Sequence, residues 1–84
     1  MSEKEKNRVA LMGIIVETKE SVHEINKLLH TYSDIIVGRM GIPYHKKNIS
    51  IISIVLDAPV NTISALSGKL GMLNGVSVKT QYSK

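Results

Sequence analysis

The sequence predicts an α+β protein of ferredoxin-like βαββαβ order, with a four-stranded antiparallel sheet and two helices on one of its faces. Three observations predict it. Four apolar, strand-like runs are interleaved with two segments of helical periodicity. The two βαβ halves have similar length and are joined by the segment Gly38 to Asn48. Right-handed crossovers then place strands one and three in the centre and two and four at the edges. The third run is apolar on both faces and the fourth alternates, as central and edge positions require.

Each element has its own signal. Residues Val9 to Val16 are all apolar or Gly and stop at Glu17-Thr18-Lys19-Glu20, which predicts a central strand. Ser21 with Glu24 has the spacing of a capping box, and Val22, Ile25, Leu28, Leu29 and Tyr32 then recur on one helical face. Ser33-Asp34 breaks that helix. Ile35-Ile36-Val37 opens the second strand, and Gly38, Gly41 and Pro43 mark its end or a bend in it. Ile49 to Leu56 is the third strand. Asp57-Ala58-Pro59 reads as a helix start, because Pro is tolerated in a first turn. Val60, Ile63, Leu66, Leu70 and Leu73 line the second helix, with Asn74-Gly75 as a left-handed stop. Val76, Val78, Thr80 and Tyr82 alternate with Ser77, Lys79 and Gln81 in the last strand.

At 84 residues the chain holds one domain, read as 8–84 behind a mobile polar tail over 1–7. That tail lacks the apolar stretch of a signal peptide, and no apolar run reaches the ~20 residues of a membrane span, so a cytoplasmic, membrane-free protein is expected. Cysteine is absent, which excludes disulfides and thiolate chemistry. The net charge is +4, but basic residues are scattered, with one cluster at Arg39, His45, Lys46 and Lys47. With no aromatic residue on the central strands to stack bases, direct nucleic-acid binding is not expected.

Two helices cover only one face of four strands, yet the central strands are apolar on both. Leaving such side chains wet forgoes ~1.5–3 kcal/mol each, so the far face is expected to pack against another copy. The residues assigned to that interface are Met12, Ile14, Ile52 and Ile54, with Met40 and Ile42. The alternative is that β-branched residues serve strand propensity alone.

Candidate chemistry is sparse. His23 and His30, seven apart, share one side of the first helix, but nothing supplies a third ligand, so no metal and no cofactor is expected. No nucleophile, paired-carboxylate or glycine-rich phosphate signature is present, which argues against an enzyme. Gly38 to Tyr44 is the most distinctive stretch. Arg39 and Tyr44, with Thr18 and Ser21 at the start of the first helix, are the candidate contacts for an anionic ligand. A structural turn with an interface Arg accounts for the same residues.

These residues also carry a resemblance. Gly13-Ile14-Ile15-Val16, the block Asp34 to Tyr44, Ile49 to Ser53, Ser67 to Gly71 and Gly75 to Lys79 resemble the iron-only hydrogenase system regulators, a family grouped with ACT-like domains. The similarity spans about Arg8 to Tyr82, and the central block is its most specific part. The resemblance implies a fold similar to the regulatory domain of the nickel-responsive repressor, assembled as a dimer or tetramer, with a role in transcriptional regulation. That repressor's metal site uses a Cys and is not carried over. Nor is its DNA-binding ribbon-helix-helix, for which the residues before the first strand are too few. Lys47-Asn48 and Leu73-Asn74 depart from the Gly and Pro frequent in relatives, at loop positions. The expected function is therefore an oligomeric regulatory module that senses a small-molecule effector where subunits meet. The alternative is a protein–protein interaction or scaffolding module without such a ligand.

Overall fold

The computed structural model describes residues 6–84, so the tail reading for residues 1–5 lies outside the described residues. The first strand, β1, runs from Asn7 to Val16, and Asn7, placed in the tail by sequence, pairs with Pro59. The remaining elements are α1 (Val22–Thr31), β2 (Ile36–Tyr44), β3 (Ile49–Pro59), α2 (Val60–Gly71) and β4 (Val76–Tyr82). The sheet order is β2-β3-β1-β4 and every pairing is antiparallel. The long apolar strands thus take the centre, as their composition requires.

Local chemistry shifts several boundaries. The chain enters α1 through a 3-10 turn at Lys19–Ser21, and Ser21 makes no side-chain cap. Its hydroxyl donates instead to the Asn74 carbonyl at 2.6 Å, while Thr18 Oγ1 accepts from the Glu20 amide at 3.3 Å. The glycines and Pro43 do not end β2. An edge strand needs backbone partners on one side only, so Pro is tolerated there, and pairing with β3 continues to Tyr44. The irregularity falls earlier, as a bulge between Ile36 and Gly38 that leaves Val37 unpaired and exposed. Nor does Asp57-Ala58-Pro59 start the helix. β3 runs through Pro59, which takes the position just before the first helical residue of α2.

The core lies between the helices and one face of the sheet. Ala10, Met12, Ile14 and Val16 of β1 and Ile54, Leu56 and Ala58 of β3 point into it, against Ile25 and Leu29 of α1 and Ile63, Leu66 and Leu70 of α2. The turn into β4 is locked onto the exit of β1. Glu17 N–H donates to the Gly75 carbonyl at 2.8 Å, and Gly75 has φ +71°, a conformation that disfavours any side chain. A Cβ there would also lie 2.6 Å from Thr18 Cγ2. Gly75 is thus required on both counts.

Candidate functional site: an apolar sheet face and a cleft beside α1

Because side chains alternate across a strand, residues paired in register share a face. Away from the helices, successive rows across β2, β3, β1 and β4 read Ile42, Ile51, Ile15, Ser77; then Met40, Ser53, Gly13, Lys79; then Gly38, Val55, Leu11, Gln81. Tyr44 with Ile49 flanks this array at one end and Val9 with Asp57 at the other. Leu11 is 48% exposed and Met40 60% exposed, and Val9, Ile15, Ile42 and Ile51 are exposed with them. The face carries aliphatic side chains on three strands, interrupted by Ser53 and Gly13 in the middle row, and is polar along β4.

This geometry corrects the interface assigned from sequence. Met12, Ile14 and Ile54 are 0% exposed and lie under the helices, with Ile52 half-buried on the same side. They are one residue out of phase with the open face, whose central residues are Val9, Leu11, Ile15, Ile51 and Val55. Met40 and Ile42 do lie on it.

The candidate ligand contacts do not converge. Arg39 is in register with Ile54 and so lies on the helix side of β2, whereas Tyr44 is in register with Ile49 on the open side. Thr18 and Ser21 are engaged in the structural contacts described above, and Ser21 is only 5% exposed. His23 and His30 are exposed on α1. Among the described residues no three His or carboxylate side chains come together as a metal site.

A concavity that the sequence does not announce lies on the helix side. α1 buries Ile25 and Leu29 but leaves Val22 exposed beside the outer part of the sheet. There β2 presents Gly41, and a Cβ built on it would meet nothing within 4 Å. The space left is a cavity of about 280 Å³ walled chiefly by Val16, Val22, Ile25, Ile52 and Pro43, with Ile42 and Ile51 also on its lining and Asn26 and Ser50 as its polar residues. A second cavity of about 140 Å³ shares Val16, Val22, Pro43 and Ser50 with it and adds Thr18, Lys19, His45 and Asn48. The two adjoin along the four shared residues as one cleft, the first part almost wholly apolar and the second carrying most of the polar side chains. The missing signal was pairing register, which alone brings Gly41 beside α1.

Among the described residues, no helix is long and apolar enough to cross a membrane. A comparison with curated proteins gives no match. Among solved structures, the chain is similar to the uncharacterized protein TM1266 from Thermotoga maritima, at 40% identity over 94% of this chain and 100% of that one, with a TM-score of 0.91. The sequence profile of the TM1266-like family matches residues 8–80, nearly the whole of the sheet-and-helix unit. The chain therefore belongs to the TM1266-like family, described as "Iron-only hydrogenase system regulator, putative".

Proposed function

We propose that this protein is a non-catalytic, cytoplasmic regulator that works as a homo-oligomer, two copies meeting through the open faces of their sheets, and that responds to a small-molecule effector. The family description supports the regulatory part. The observation that carries self-association is the open face itself, where Val9, Leu11, Ile15, Ile51, Met40 and Ile42 are all exposed on one side of the sheet. So many exposed aliphatic side chains on one side of a sheet mark an interface more often than a free surface. A second copy supplies matching chemistry at no cost in specificity, because a two-fold contact sets aliphatic rows against aliphatic rows.

Sedimentation velocity at micromolar concentration tests this. A dimer or larger assembly is expected, converted to monomer by Leu11→Asp with native circular dichroism retained. A monomeric wild type would remove the basis of the reading. The separation of Arg39 and Tyr44 onto opposite faces favours a second reading, an interaction module that binds another protein and takes no small ligand at those residues. Capture by the wild type but not by the Leu11→Asp variant of one defined partner, with the wild type monomeric alone, is the outcome that distinguishes it.

A further inference from the structure

We infer that the cleft between the first turns of α1 and the β2–β3 hairpin binds a small aliphatic carboxylate, its hydrocarbon tail over Gly41 and its carboxylate toward Lys19 and His45. This rests on the effector part of the function proposed above and gives that effector a place and a chemical class. The larger cavity, at about 280 Å³, stands at the lower end of the ~300–1,000 Å³ typical of small-molecule sites. Its walls are aliphatic, so the part of the ligand held there is apolar. The adjoining cavity is different. Lys19 and His45 line it, Lys46 and Lys47 follow in the same turn, and no carboxylate lines either cavity. A neutral apolar molecule leaves that end unused, and a cation meets repulsion there.

Two further features fit a ligand better than a surface irregularity. The cleft exists because β2 carries Gly at the one helix-facing position between Arg39 and Pro43. A long side chain there would occupy it. Ser50, half-buried, and the exposed Asn26 both border the space, and neither side chain hydrogen-bonds another protein group among the described residues.

The test is titration of the isotopically labelled full chain with hexanoate and with hexanamide, followed through backbone amide resonances, with sedimentation of the same samples. Hexanoate is expected to shift Lys19, Val22, Gly41 and Ser50, with hexanamide at least about tenfold weaker for want of its charge. Gly41→Leu should fold, since a Cβ at this position meets nothing within 4 Å and the rest of the side chain can enter the cleft, and should abolish binding. Lys19→Glu, on an exposed turn, should weaken it about tenfold and carries the test if Gly41→Leu fails to fold. No shift at roughly 10 mM hexanoate, equal binding of the amide, or full binding by a folded Gly41→Leu variant overturns the inference. The cleft lies on the opposite side of the sheet from the open face. A monomer that binds hexanoate therefore sinks only the oligomer reading, and an oligomer that ignores it sinks only this one.

Discussion

Truncating Leu11 to Ala removes one side chain from the middle of the open face while leaving the core untouched. Leu11 is 48% exposed in the single chain, so about half of its burial free energy is still available to a partner. With ~1.5–3 kcal/mol for full burial, that half is about 1 kcal/mol. A two-fold interface contains Leu11 twice, so the dimer loses about 2 kcal/mol, or about 30-fold in dissociation constant. Sedimentation equilibrium over a range of concentrations measures this directly. Met72→Ala supplies the comparison, because Met72 is 87% exposed at the end of α2, away from the sheet face, and should leave association unchanged. Equal effects of the two substitutions, or none from Leu11→Ala in an associating protein, would refute the placement of the interface on this face.

Three further predictions concern the fold and are read by urea denaturation. Ile54→Ala, at a fully buried position in β3, should cost ~2–5 kcal/mol of stability, as a core truncation does, with no change in dimer affinity per folded molecule. Thr80 Oγ1 is buried without a hydrogen-bond partner, so the near-isosteric Thr80→Val should stabilise the protein by about 1 kcal/mol; a loss of stability would reveal a hidden partner. Gly75→Ala should destabilise by about 2–4 kcal/mol, through its left-handed backbone and the close approach to Thr18 Cγ2. Thr18→Ser, which removes that methyl, should recover part of the Gly75→Ala loss and none of the backbone cost.

Strand order was legible because composition differs between centre and edge: Ile49 to Leu56 carries two serines among aliphatics, whereas Val76 to Tyr82 alternates. Which face of β1 is covered was not legible from β1 alone. Val9 to Val16 is uniformly apolar, and a shift of one residue exchanges the two faces without changing the pattern. β3 held the missing signal. Ser53 and Asp57 share the parity of Ile51 and Val55, and a buried face would not have carried a carboxylate there. The boundaries moved where tertiary pairing outweighed local preference, with Asp57-Ala58-Pro59 held extended by Asn7, Arg8 and Val9 across the ladder. The cleft was out of reach, because neither Gly41 nor Val22 advertises a cavity until the strands are in register.

Gly41 and Ile52 face the cleft while their neighbours Ile42 and Ile51 face the opposite surface, so one peptide ladder forms the floor of both. A ligand that displaces this ladder changes the surface offered to a second copy. Thermodynamic linkage then demands reciprocity: whatever factor the ligand contributes to self-association, self-association returns to ligand affinity. Measured apparent affinity would therefore vary with protein concentration, and the protein would report its own abundance together with that of its effector.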